Sequence, residues 1–220
     1  MTNFDWGSSN DWYIDTIKKE IFTDKIYEKF FEVEKDDVVF DVGASIGPFT
    51  YSILEKSPKH VFCFEPSLEQ FPTLFINTRK GPVTCINRGI SDKVGESDFE
   101  FLFGNENKRG NALSTTFKQV IEDYNLKKID FIKTDCEGGE YDIFNVENLF
   151  WIMENVKKIA GEWHLSSWKN KEKFRKFRDV YLNVFPNHEV YSVDGVDIKW
   201  SLWTDKFIEY YSEVIIYIKN

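Results

Sequence analysis

Positive charge is scarce in this 220-residue chain: 28 Lys and Arg stand against 37 Asp and Glu, a formal net charge of -9. A nucleic-acid binder needs a basic stripe to displace counterions. The dense basic run from Lys169 to Arg178 is broken by Glu172, and its Phe174 and Phe177 make it an ordinary amphipathic helix with a solvated face. Nucleic acid and an anionic membrane surface are therefore disfavoured as partners. Cysteine is scarce as well. Cys63, Cys85 and Cys136 are odd in number and lack metal-ligand spacing, which argues against a disulfide framework and for a reducing compartment, the cytoplasm. No run approaches transmembrane length. The segment Met1 to Trp6 has neither the basic region nor the apolar core of a secretory signal. Internal repeats and low-complexity segments are absent.

Aromatic residues, by contrast, are abundant. They make up 17% of the chain, with 21 Phe, which points to a Phe-packed core and leaves some Trp for a substrate groove. The length suits one domain with one good-sized core. Apolar positions Tyr13, Ile14, Ile17, Ile21, Ile26, Tyr27, Phe30 and Phe31 recur at helical spacing, with a possible break at Thr23-Asp24. Residues 1–34 are thus expected to form a helical cap, placed over a ligand cleft or against the sheet edge, ahead of a domain spanning 35–220.

That domain is organised around Val38 to Pro48. Val38-Val39-Phe40 reads as a buried strand ending in Asp41; the small-residue loop Gly43-Ala44-Ser45-Ile46-Gly47 follows, and Pro48 fits the first turn of a helix. Strand, glycine loop and helix N-terminus together form a nucleotide-type site. The pattern is D-x-G-x-x-x-G, whereas a dinucleotide site wants G-x-G-x-x-G. A carboxylate at Asp41 would repel a pyrophosphate and suit a ligand carrying an ammonium and a sulfonium, such as S-adenosylmethionine (SAM). A second strand, His60 to Phe64, ends in Glu65-Pro66. Glu65 lies 22 residues after Gly43, where an acid is placed to accept ribose hydroxyls.

Further along, Val83 to Ile86 reads as a third strand, with Ser91 and Asp92 beyond its tip and Asp92 a candidate acceptor for the adenine amino group or a plain turn residue. Asp98 to Phe103 alternates charged and aromatic residues, as an inserted hairpin strand does, and Gly104 to Gly110 reads as a polar loop beside the cleft. Ile129 to Asp135 is a fourth strand leading into Cys136-Glu137-Gly138-Gly139-Glu140. Lys157 to Leu165 is a fifth, with Glu162 and His164 near its tip. Glu189 to Val193 and Glu213 to Ile218 are expected to pair antiparallel, since no regular crossover joins them.

Three stretches together resemble the FkbM family of SAM-dependent methyltransferases: Val39 to Thr50, Phe64-Glu65-Pro66, and Asp130 to Glu140, the last carrying D-x-E-G-x-E. Ser45 departs from the pattern, where Asn is common, as do Cys136 and Gly139, where small apolar residues are usual. The resemblance implies a Rossmann-like class I methyltransferase sheet, mostly parallel with a C-terminal antiparallel hairpin and helices on both faces. It implies methyl transfer from SAM to a hydroxyl of a sugar or small metabolite, and so a small-molecule or carbohydrate acceptor. Asp41, Gly43, Ala44, Ser45, Gly47, Glu65, Pro66, Ser91, Asp92 and Asp135 are then expected to hold the cofactor. Asp135, Glu137, Glu162 and His164 meet beside the donor as catalytic groups. Histidine suits the base that takes the acceptor's proton, so His164 is favoured, with Asp135 or Glu137 as its orienter or as a substrate ligand; a carboxylate base and a divalent metal on Asp135, Glu137 and Glu162 are the rivals. A nicotinamide dehydrogenase is disfavoured by Asp41 and the missing G-x-G, and a SAM-binding but inactive interaction module keeps the same loop.

Overall fold

The computed structural model describes residues 4–103 and 106–220. Its centre is a seven-stranded sheet in the order β3-β2-β1-β7-β8-β10-β9. The strands are β1 (Val38–Val42), β2 (His60–Phe64), β3 (Val83–Ile86), β7 (Ile129–Thr134), β8 (Val156–His164), β9 (His188–Tyr191) and β10 (Glu213–Lys219). Neighbours from β3 to β8 run parallel, and β10 is antiparallel to both β8 and β9. The expected mixed sheet with its C-terminal antiparallel pair is therefore present.

The strands read as unbroken apolar runs because helices cover both faces. Side chains alternate across a strand, so Phe40, Val42, Phe62, Phe64 and Ile132 face one layer, with α4 (Phe117–Asp123), α6 (Val146–Asn155), α7 (Trp168–Lys176) and α8 (Asp205–Tyr210). Val39, Val61, Cys63 and Phe131 face the other, with α2 (Pro48–Ile53), α3 (Phe71–Thr78) and the N-terminal segment. The Phe-rich composition is spent here: Phe40, Phe64, Phe117, Phe131, Phe174 and Phe177 are all fully buried. Each such ring stabilises the fold by about 1.5–3 kcal/mol relative to exposure.

The N-terminal segment is a single bent arm. Helix α1 (Asp11–Ile17) starts at Asn10, whose side chain accepts from the Tyr13 N–H at 2.9 Å. It continues in wider π-type turns over Lys18–Thr23 and breaks at the Thr23-Asp24 position, where Lys25 takes φ +49°. Ile21, Tyr27 and Val33 then enter the sheet core.

Between β3 and β7 a second sheet of three strands is inserted, in the order β4-β6-β5, with β4 at Gly89–Ile90, β5 at Gly95–Phe103 and β6 at Glu106–Thr115. The hairpin expected at Asp98 is there, but the expected polar loop is not. From Glu106 onward it is strand β6, and Gly104 and Asn105 lie outside the described residues. The polar composition of β6 hides a strand whose backbone is paired along its length with β5, from Gly95↔Ser114 to Phe103↔Glu106.

The chain winds outward from β1 through β2 to β3 and then returns to the opposite side of β1 as β7. That reversal opens a crevice at the carboxyl ends of β1 and β7, where open α/β sheets hold ligands.

Candidate active site

The loop after β1 is held from below. Asp41 is fully buried; its Oδ2 accepts from Thr50 Oγ1 at 2.7 Å, and its Oδ1 lies 3.4 Å from Lys133 Nζ. Lys133 in turn donates to the Gly43 carbonyl at 2.8 Å. Burial alone would lower the lysine's pKa, but the Asp41 and Asp135 carboxylates outweigh it and keep the ammonium charged. The expectation that Asp41 faces the ligand is thus corrected: its carboxylate is buried beneath the loop and acts on it through Lys133. Gly43 (φ +74°) packs so closely on β7 that a Cβ would sit 1.8 Å from the Asp135 carbonyl oxygen. Ser45 takes φ +50°, a left-handed conformation that Asn also tolerates. Its Oγ is bonded to the Tyr13 hydroxyl at 2.8 Å, so α1 closes over the loop.

Glu65, only 4% exposed, reaches across from β2. One carboxylate oxygen accepts from Ser45 N at 2.8 Å and the other from Ser67 N at 2.7 Å. Burial raises its pKa to about 7, although both N–H groups favour the charged form. If Glu65 accepts the ribose hydroxyls, only its ionised form does so well, so SAM affinity should tighten as pH rises through about 7. Glu65→Ala should cost roughly 1.5–3 kcal/mol, about ten- to a hundredfold in Kd, the scale of a hydrogen bond to a charged group. Calorimetry across pH 6–8 on both proteins checks this. Equal affinity in the two, or a flat profile in the wild type, removes the ribose assignment.

At the other end of the crevice four predicted residues converge. Glu162 and His164 are two apart on β8 and so share a face, while Trp163 points into the core. Asp135 and Glu137 come from the turn after β7, where Glu137 (φ +54°) and Gly138 (φ +102°) bend the backbone back. His164 Nε2 lies 3.6 Å from Glu137 Oε2, 3.9 Å from Asp135 Oδ1 and 4.0 Å from Glu162 Oε2. Burial raises Glu137 to about 7 and, with the Asp135 charge, raises Glu162 well above the carboxylate range.

Three partners in this cluster escaped sequence reasoning. Glu140, fully buried, accepts from His164 Nδ1 at 2.7 Å and from the Cys136 and Gly138 N–H groups. The ring is therefore oriented by Glu140, in place of Asp135 or Glu137. The signal was present as the last acid of D-x-E-G-x-E. Tyr27 donates to Asp135 Oδ2 at 2.9 Å, and Lys133 braces the loop; neither had a local signal. Burial alone would lower the imidazole pKa, but the Glu140, Glu137 and Asp135 carboxylates hold it well above the usual histidine value.

Both ends belong to one cavity of about 370 Å³, a size suited to a small ligand or cofactor. Its wall includes Tyr13, Gly43, Ser45, Glu65, Pro66, Asp135, Glu137, Glu162 and His164; Ala44 and Gly47 stand behind it in the loop. Ser91 and Asp92 do not reach this wall. They line an adjoining cleft of about 360 Å³ that shares Phe99, Glu100, Cys136, Glu137 and Gly139 with it. Among the described residues, eight carboxylate side chains and one lysine line the main cavity. Such a wall repels the pyrophosphate of a nicotinamide dinucleotide and attracts a cation. SAM, with its sulfonium and ammonium, fits this lining.

The Methyltransferase FkbM domain matches residues 41–184, from the buried Asp41 to the end of the helix that follows β8. The chain belongs to the FkbM methyltransferase family. The cofactor of that family domain is SAM. Among curated proteins, the chain is 30% identical over 143 residues to the hexuronic acid methyltransferase AglP of Haloferax volcanii, covering 60% of this chain and 58% of that protein. It is 23% identical over 177 residues to the tRNA U34 carboxymethyltransferase of Campylobacter lari, covering 78% of this chain and 60% of that one. The chain thus spans under two thirds of either relative. Two solved structures share the fold: a putative rRNA methylase from Clostridium thermocellum (TM-score 0.51, 11% identity, 96% of this chain and 98% of that one) and the fibrillarin/Nop5p complex (TM-score 0.52, 13% identity, 88% and 77%). Among the described residues, no helix is long and apolar enough to cross a membrane.

Proposed function

We propose that this protein transfers a methyl group from SAM to a hydroxyl of a sugar or other small hydroxylated metabolite. The observation that carries this reading is the convergence of Asp135, Glu137, Glu162 and His164 at one end of the SAM-sized cavity. An alcohol oxygen is a poor nucleophile until its proton leaves, and such a cluster of polar, titratable groups serves that step. Gly43, Ala44, Ser45 and Gly47 frame the methionine end of the donor, Glu65 and Pro66 its ribose. Ser91 and Asp92 support the adenine side through Gly89 and Ile90, which do reach the cavity. Residues 1–34 act as the cap of the 35–220 methyltransferase domain, with Tyr13 and Tyr27 as its contacts to the site.

The hexuronic acid methyltransferase relative supports a carbohydrate acceptor. The net charge of -9 and the acidic cavity disfavour RNA, although fold relatives include RNA methylases. Free thiols at Cys63, Cys85 and Cys136 favour the cytoplasm. The test is incubation of the full chain with methyl-labelled SAM and pools of sugars, acidic sugars, lipids, small hydroxylated metabolites and RNA. Label is expected in a sugar or small metabolite. Label in RNA overturns the acceptor class; SAM binding with no transfer to any pool favours the inactive module.

A further inference from the structure

We propose that Asp135, Glu162 and His164 bind one divalent cation of the magnesium–manganese class at the end of the cavity. Its binding is independent of the methyl-transfer reading, and only the role given to it below rests on that reading. One ligand atom from each residue lies within 4.8 Å of the others. His164 Nε2 is 3.9 Å from Asp135 Oδ1 and 4.0 Å from Glu162 Oε2, too long for hydrogen bonds. Two ligands each about 2.1 Å from a common ion are separated by roughly 3.0–4.2 Å, depending on the angle between them. The two separations from Nε2 fall in that range, and an ion would draw the Asp135 and Glu162 carboxylates in towards the imidazole.

The imidazole supplies a second, separate indication. The His164 side chain is 5% exposed, and its Nδ1 is fixed by buried Glu140 at 2.7 Å. Among the described residues, Nε2 has no hydrogen-bond partner, and it points between the carboxylates. A histidine anchored through one nitrogen to a carboxylate, with the other aimed among acids, is the arrangement of metal-bound histidine, and the ion would take the place of the Nε2 proton, which is released to solvent on binding. Asp135 is prepared in the same way: Tyr27 holds its Oδ2, which leaves Oδ1 for the ion. Two carboxylates and one imidazole form a hard, oxygen-rich donor set with no thiolate, which suits magnesium and manganese, and the imidazole favours manganese of the two.

The ion also gives the acceptor oxygen a place. A hydroxyl on an open coordination position becomes more acidic, as metal-bound water does. Its proton passes to the Glu137 carboxylate, 3.6 Å from Nε2 and outside the ligand triad. The freed oxygen lone pair forms the new C–O bond to the methyl carbon while the S–CH3 bond breaks. The sulfur keeps that electron pair and becomes the thioether of S-adenosylhomocysteine, and no net oxidation or reduction occurs.

The test is titration of the chelator-stripped full chain with Mn²⁺, read by loss of the free-ion electron paramagnetic resonance signal, with and without SAM. One ion per chain is expected to disappear from the free signal and to return on competition with Mg²⁺. Asp135→Asn and Glu162→Gln should each weaken Mn²⁺ binding at least about tenfold, with circular dichroism confirming that each variant is folded. Should a variant fail to fold, the wild-type titration decides alone. A free Mn²⁺ signal unchanged by millimolar wild-type protein overturns the proposal, and so does equal binding by folded variants. Tight Mn²⁺ binding without methyl transfer upholds the site and sinks the O-methylation reading. Methyl transfer by a protein that ignores both Mn²⁺ and chelator does the reverse.

Discussion

Replacing His164 with alanine is expected to lower kcat by on the order of 10²–10⁴-fold, the scale on which proton removal from the acceptor contributes, because the change takes one ligand from the proposed cation, while SAM affinity changes little. The split follows from geometry. His164 belongs to the Asp135–Glu137–Glu162 end of the cavity, whereas the groups assigned to the nucleoside, Glu65 and Pro66, come from β2 on the other side of β1. The substitution also leaves Glu140 buried without its imidazole partner, so part of any loss could come from a shifted turn. His164→Gln keeps a polar group of similar reach and separates the two effects. Turnover lost in both variants, with melting temperature near wild type in the glutamine form, supports the catalytic role. Wild-type turnover in His164→Ala would move the chemistry elsewhere.

Gly43→Ala should be the most damaging single change in the loop. The residue is in the left-handed region, and its new Cβ would meet the backbone carbonyl of Asp135, which cannot swing aside as a side chain can. Left-handed strain costs about 1–2 kcal/mol for an L-residue. Displacing the β7 turn adds to that, for a total of roughly 3–5 kcal/mol, at the upper end for point mutants. Because the same turn carries Asp135 and Glu137, SAM binding and turnover should fall with stability. Gly95→Ala is the comparison. Gly95 also has positive φ (+124°), but a Cβ there meets nothing within 4 Å, so its cost should be strain alone. Denaturant unfolding measures both. Equal losses for the two would show that the contact with Asp135 is harmless.

Much of the architecture was legible before any coordinate. Buried parallel strands leave unbroken apolar runs, so β1, β2, β7 and β8 appeared within a residue or two, and the irregular link from β9 to β10 predicted their antiparallel pairing. Acids at strand ends marked the cavity because in an α/β sheet those ends share one edge. The break after Thr23 was visible in the helical pattern.

The partners of those acids were not. Asp41 sits at a strand tip, as the sequence says, yet only the packing of α2 and β7 turned it inward to Thr50 and Lys133. Strand β6 was hidden because its residues are polar and its stability comes from backbone pairing with β5, which no side-chain period records. Tyr27 meets Asp135 across 108 positions of chain, and Glu140 meets His164 across 24. The sequence alone determined the strands, the glycine loop and the acids at their tips, because local period and turn chemistry are written in neighbouring residues. Tertiary structure alone decided which acid holds the histidine, which is buried beneath the loop and which faces the cavity, because those choices depend on how distant strands and helices meet.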